Sequence, residues 1–201
     1  MRRPEPDTDA PRRKRAPRVT RDALQRAAVH HLSRYPASRE QLRRVLVRRL
    51  ERAERRATDE GPDREVVLAD IAELLDRLDE AGQLDDRRLA RALALDLLRR
   101  GSSELLARNK LRVKGLSAEH IAEALDHARE ELASNGDDPA LVAATAYARR
   151  RRLGPFRVDA AQRAERRDKD LAALARRGFS YGVARTVIEA DDPDGLPQEI
   201  P

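Results

Sequence analysis

The sequence contains no cysteine and no tryptophan, and it has five aromatic rings among 201 residues. Without cysteine there is neither a disulfide framework nor a thiolate zinc site. Tyr35, Tyr147, Phe156, Phe179 and Tyr181 are scattered, so a continuous base-stacking platform is excluded. No run approaches the ~18 apolar residues of a membrane span, and the arginine-rich start lacks the apolar segment of a secretory signal. The expected location is therefore the cytoplasm, with no membrane partner. Sustained period-two alternation is also missing, which argues against strands.

The familiar catalytic signatures are absent too. There is no GxxxxGK[ST] or GxGxxG loop, no GxSxG elbow and no HExxH pair. His30 and His31 are adjacent and point about 100° apart on a helix, and His120 and His127 stand about two turns apart. Neither pair has chelating spacing. Asp85-Asp86 falls where a helix start needs a capping acceptor. No enzyme, cofactor or metal is expected.

What the chain has in quantity is charge. Its 42 basic and 36 acidic residues leave a formal +6, unevenly distributed. Residues 1–20 carry seven basic and three acidic side chains, residues 59–86 two and eleven, and residues 148–170 nine and four. Such separation suits an anionic partner or a protein–nucleic-acid assembly. The plainer alternative is a set of solvated helix faces in an arginine-rich protein.

Apolar periodicity and stop signals predict nine helices in an all-α fold. Residues 1–19 read as a disordered basic tail. Thr20 caps the first helix, and Tyr35-Pro36 stops it. Ser38-Arg39-Glu40-Gln41 reads as a capping box for the second. Residues 51–65 form a polar extension ending in Asp59-Glu60-Gly61-Pro62. Asp63, Asp85, Ser102 or Ser103, Ser117, Asp138 and Ser180 open later helices, and Leu153-Gly154-Pro155-Phe156 is a break. The tail from 191 to 201 is expected to fray.

One phrase recurs. Lys114-Gly115-Leu116-Ser117 returns 63 residues later as Arg177-Gly178-Phe179-Ser180, each three residues after a leucine (Leu111, Leu174). Its grammar is that of a corner. A basic side chain suits a helix carboxyl end, glycine takes the left-handed turn, an apolar residue packs, and serine caps the next helix. The helices sort into three tandem three-helix repeats, 20–83, 84–133 and 138–190, in an elongated, curved array. Leu46 matches Leu111 at a spacing of 65, while Ile71/Leu75 matches Ile121/Leu125 at 50, which places the additional residues at 51–65.

Guanidinium groups match phosphate and carboxylate geometry, so basic clusters are the candidate contacts. They are Arg39, Arg43 and Arg44 on the second helix, and Arg87 and Arg88 opening the fourth. Arg108, Lys110, Arg112 and Lys114 span the end of the fifth. Arg149, Arg150, Arg151 and Arg152 end the seventh, and Arg176 and Arg177 stand at the second corner. Gly115, Leu116, Ser117, Gly178, Phe179 and Ser180 are structural corner residues.

The chain resembles the RecX family of bacterial regulatory proteins over residues 20–190. The resemblance rests on Ala23-Leu24…Leu32, on Ser38-Arg39-Glu40-Gln41-Leu42, and on the segment from Leu75-Asp76-Arg77-Leu78 through Gly82-Gln83-Leu84-Asp85-Asp86 to Leu89-Ala90. It continues in Arg100-Gly101, Leu111-Arg112-Val113-Lys114-Gly115-Leu116 and Leu174-Ala175-Arg176-Arg177-Gly178-Phe179-Ser180. It implies an elongated, monomeric array of three-helix repeats that binds the recombinase RecA in the groove of its filament on single-stranded DNA. Such a protein limits the recombinase's ATPase, coprotease and strand-exchange activities, and some family members also bind DNA. The chain departs from the family pattern at Arg48-Arg49-Leu50, where Lys-Gly is usual, and at Ser103, Ala107 and Lys110. A salt-sensitive module binding single- or double-stranded DNA, or RNA, without the recombinase is the alternative. A scaffold with neither partner is the third reading.

Overall fold

Short polar side chains set the helix starts. The computed structural model describes residues 19–57, 61–133, 136–159 and 161–197. In it, Thr20, Ser38, Asp63, Asp85, Ser103, Ser117, Asp138 and Ser180 each accept a hydrogen bond from an amide in the first turn that follows. Each such cap is worth about 1 kcal/mol. At Ser38 the capping box is complete: Oγ accepts from the Gln41 amide at 3.1 Å, and the Ser38 amide donates to Gln41 Oε1 at 3.2 Å.

Among the described residues the fold is all-α. Its nine helices are α1 (Arg21–Leu32), α2 (Arg39–Glu54), α3 (Arg64–Glu80), α4 (Asp86–Arg99), α5 (Glu104–Val113), α6 (Ala118–Leu132), α7 (Pro139–Arg151), α8 (Ala161–Arg176) and α9 (Tyr181–Ile188). None is long and apolar enough to cross a membrane.

The apolar stripes close on three buried clusters. Leu24, Leu42, Leu46, Leu50, Ile71 and Leu75 meet between α1, α2 and α3. Leu98, Leu111, Ile121, Leu125 and Leu132 meet between α4, α5 and α6. Leu153, Leu174, Phe179, Val187 and Ile188 join the ends of α7, α8 and α9. Burying one such side chain stabilises by about 2 kcal/mol. The second cluster also buries Ala90, Ala94, Ala107, Ala124 and Ala128 completely. These small residues let α4 lie close along α6, the most extensive helix pair among the described residues. Val142 of α7 reaches back into this second cluster.

Three segments differ from or extend the expectation. The start of the polar extension is helical: α2 runs to Glu54 with Ala53 buried, and Arg64 bonds both Glu54 carboxylate oxygens, at 2.9 and 2.8 Å. The predicted break at Leu153-Gly154-Pro155-Phe156 contains a 3-10 turn, Gly154–Phe156, with Gly154 and Pro155 buried. The segment 191–197, expected to fray, makes contacts with the third cluster and with α8. Leu196 is buried in the third cluster, the Asp191 carbonyl accepts from Arg163 at 3.1 Å, and the Asp192 carboxylate caps the amides of Asp194 and Gly195. The predicted tail at 1–19 lies outside the described residues except for Val19, and the turn at Ser134-Asn135 also lies outside them.

The 3-10 turn is held by a buried carboxylate. Asp170 is 2% exposed and accepts from the Gly154 amide at 2.9 Å and from Arg157 Nε and Nη2 at 2.9 and 2.6 Å. These bonds raise the Arg157 guanidinium above its ordinary value. Removing one partner of a buried pair leaves the other uncompensated. Asp170→Ala is therefore expected to cost about 3 kcal/mol in urea unfolding, whereas Asp168→Ala, on an exposed carboxylate, costs under about 0.5 kcal/mol.

Candidate partner and nucleic-acid interface

The two copies of the recurring phrase form the same corner. After α5 the Gly115 amide donates to the Arg112 carbonyl at 2.9 Å, and the Leu116 amide to Leu111 at 3.4 Å. After α8 the Gly178 amide donates to Ala175 at 2.8 Å and the Phe179 amide to Leu174 at 3.3 Å. This is the Schellman pattern, and both glycines are left-handed, with φ of 80° and 84°. Leu116 and Phe179 are buried at 4% and 7%, and Ser117 and Ser180 cap α6 and α9.

Each corner also docks on a different helix. Ser38 Oγ, at the start of α2, donates to the Lys114 carbonyl at 2.5 Å, across 76 residues. Ser103 Oγ, at the start of α5, donates to the Arg177 carbonyl at 2.5 Å, across 74 residues. A Cβ on Gly115 would fall 2.5 Å from Glu40 Cγ, and one on Gly178 would fall 2.6 Å from Ser103 Oγ. The amino end of α2 thus meets the carboxyl end of α5, and the amino end of α5 meets the carboxyl end of α8. Opposite ends of the helix dipoles face each other at both joints. The outer ends of the row are different. α2 closes at Arg55 in right-handed geometry with no glycine corner, and before α8 Asp159 caps the Ala161 amide at 2.9 Å.

The first joint is polar. The Arg39 amide donates to Asp86 at 2.9 Å, so Asp85 caps its own helix while the adjacent carboxylate caps α2. Arg44 Nη1 donates to the Val113 carbonyl at 3.1 Å. Hydrogen bonds from Arg43, then from Arg44, hold the Glu40 carboxyl below the usual carboxylate range. The second joint is apolar: Leu105 packs against Gly178, and a Cβ on Gly101 would strike the Tyr147 backbone at 2.6 Å.

The predicted basic residues divide by occupation. Arg39 pairs with Asp76, Arg43 and Arg44 with Glu40 at 2.7 and 2.9 Å, and Arg87 with Glu123 at 3.0 Å. Lys110 reaches Ser102 Oγ at 3.4 Å, Arg112 reaches Asn109 at 3.4 Å, and Lys114 supplies the joint carbonyl. Arg149 lies over Phe156 at 5.4 Å and Arg177 over Tyr147 at 4.7 Å, so both help to pack the third cluster. Arg88, Arg108, Arg150, Arg151, Arg152 and Arg176 are exposed without an ion pair among the described residues. Arg48 and Arg52 continue an exposed stripe from Arg44 down α2; the i, i+4 spacing was their signal.

Two curated relatives match over most of this length. The chain is 39% identical over 178 residues to the regulatory protein RecX of Myxococcus xanthus (strain DK1622), covering 89% of this chain and 90% of the relative. The chain belongs to the RecX family. It is also 30% identical over 172 residues to the regulatory protein RecX of Agrobacterium fabrum, covering 83% of this chain and 84% of the relative. No family model matches the chain, and no solved structure does. Like other RecX proteins, it is a non-catalytic regulator. Its departures from the RecX pattern in α5 are all accommodated: Ser103 forms the second joint, Ala107 is fully buried, and Lys110 turns to Ser102.

Gly178→Ala is expected to lower stability by about 2 kcal/mol or more, combining left-handed strain with contact at Ser103. Gly136→Ala, with φ of 82° and open space around it, is expected to cost about 1 kcal/mol, both variants being read by urea unfolding. The first joint also carries a pH dependence. Because folding lowers the Glu40 pKa, its contribution is complete above the ordinary carboxylate range and is lost as pH falls through the lowered value. Glu40→Gln should flatten that part of the acid-unfolding curve.

Proposed function

We propose that the chain binds the recombinase RecA along the groove of its nucleoprotein filament and modulates its ATPase, coprotease and strand-exchange activities. The observation that carries this reading is the likeness to regulatory RecX proteins across 89% of the chain. The recurring joint supports the architectural side of it. Three buried clusters joined by two in-register contacts fit three tandem three-helix repeats in an elongated, curved array, a form suited to lying along a polymer. The exposed arginines at the ends of α7 and α8 suit carboxylates or phosphates lining such a groove.

The test is ATP hydrolysis by the DNA-activated recombinase, titrated with this protein. Inhibition at near-stoichiometric amounts is expected. Reversal of Arg150, Arg151 and Arg152 to glutamate, sparing Arg149 on Phe156, should weaken it about tenfold or more. Unchanged hydrolysis across the titration would sink the proposal.

The exposed Arg108, Arg150, Arg151, Arg152 and Arg176 favour a second reading, a module that binds a DNA or RNA backbone directly. Gel shifts without the recombinase at two salt concentrations address it. Each phosphate neutralised contributes about 0.9 to the salt slope on duplex DNA, so losing three contacts should reduce it by about 2.7. Tight, salt-insensitive binding would contradict this reading.

A further inference from the structure

The second joint encloses a cavity that neither corner chemistry nor charge pairing uses. Its volume is about 200 Å³, and Leu98, Leu105, Pro139, Ala143, Phe179 and Val183 line it. Leu105 is 61% exposed at its edge. Small-molecule sites are commonly about 300–1,000 Å³ and place several polar groups toward the ligand. Here the polar side chains at the wall are already occupied. Ser103 Oγ bonds the Arg177 carbonyl and the Leu106 amide, Ser180 Oγ accepts from the Val183 amide, and Glu104 pairs with Arg129 at 2.9 Å. The space fits one large apolar side chain, not a cofactor.

The surroundings indicate where such a side chain comes from. Arg108 lies one turn from Leu105 on the same exposed face of α5, and Arg176 lies two residues before Gly178. Both guanidinium groups are exposed and without an ion pair among the described residues. A nucleic-acid backbone would satisfy the arginines but leave the apolar cavity unfilled. A protein segment bearing a large apolar residue between carboxylates satisfies both. Interfaces concentrate their binding energy in such anchor pockets, with charges at the rim.

We propose that the cavity at the α5–α8 joint is an anchor site for a leucine- or phenylalanine-class side chain of an acidic protein segment. Its assignment to the recombinase contact rests on the function proposed above; the anchor itself does not. Ala140 is exposed at the cavity wall, so Ala140→Phe fills the space from its edge without a change in the buried clusters. The probe is the peptide acetyl-Glu-Asp-Phe-Asp-Glu-amide, compared with its alanine counterpart, on the full chain carrying labelled alanine, leucine and valine methyls.

The phenylalanine peptide should shift the Ala143, Leu105 and Val183 methyl signals and bind about thirtyfold more tightly than the alanine peptide. Ala140→Phe should abolish those shifts at an unchanged melting temperature, and Ala140→Ser should retain them. Equal shifts from both peptides, no shifts at millimolar peptide, or phosphate-backbone oligonucleotides moving the same methyls would overturn the anchor. The recombinase assay separates the two proposals. If wild-type chain inhibits hydrolysis and Ala140→Phe inhibits equally, the cavity is not the recombinase contact. If wild-type chain does not inhibit while the peptide result holds, the functional reading fails and the anchor site stands.

Discussion

The bond from a helix-capping serine to a carbonyl in another cluster is the constraint on which the rest of the molecule depends. Ser38 and Ser103 each use one oxygen twice. It accepts from the third amide of its own helix and donates its proton to the last turn of the next helix in the row. Two kinds of orphan backbone group, an amino-end N–H and a carboxyl-end C=O, are satisfied by a single hydroxyl. The approach is possible because the facing corner is glycine, whose missing Cβ leaves room for Glu40 or Ser103. A threonine at either serine would retain the hydroxyl but add a methyl group at the tightest point of the joint.

The two joints repeat a geometry while differing in chemistry. The first surrounds its serine with Asp86, Glu40 and Arg44, so its strength depends on pH and ionic strength. The second surrounds its serine with Leu105, Phe179 and the Gly101–Tyr147 contact, and Val142 extends across to the second cluster. Its strength follows apolar burial and close packing. A directional contact therefore sets the relation of α2 to α5, and a shape-fitted one sets the relation of α5 to α8.

Much of the fold was legible because its signals are local. Thr20, Ser38 and Asp63 stand next to the helices they cap, and stripes such as Leu42/Leu46/Leu50 name their buried face directly. The corners at Gly115 and Gly178 were readable for the same reason. Their docking was not, because a serine marks its own helix start but carries no trace of a carbonyl 76 residues away. The matching offsets of the serines, 65 apart, and the corners, 63 apart, were the available sign. Asp170 was hidden in a polar run, and Leu196 was a lone apolar residue without periodicity. The candidate interface was legible as charge but not as occupation: Arg177 and Arg88 look alike in sequence, yet one stacks on Tyr147 and the other is exposed without an ion pair among the described residues.

Head-to-tail contacts have a hazard of their own. A heterologous interface that does not close on itself propagates, and a unit with a matching lock at each end would build fibres. The row of α2, α5 and α8 has no such pair of ends. α2 finishes at Arg55 without the glycine that would admit a serine, and α8 opens beside Asp159, an acid with no proton to give when ionised. A second copy arriving end-on finds a right-handed helix end facing a carboxylate in place of the Gly–Ser lock. The two outer ends, at the close of α2 and the start of α8, lack the matching lock that an end-on contact needs in order to propagate.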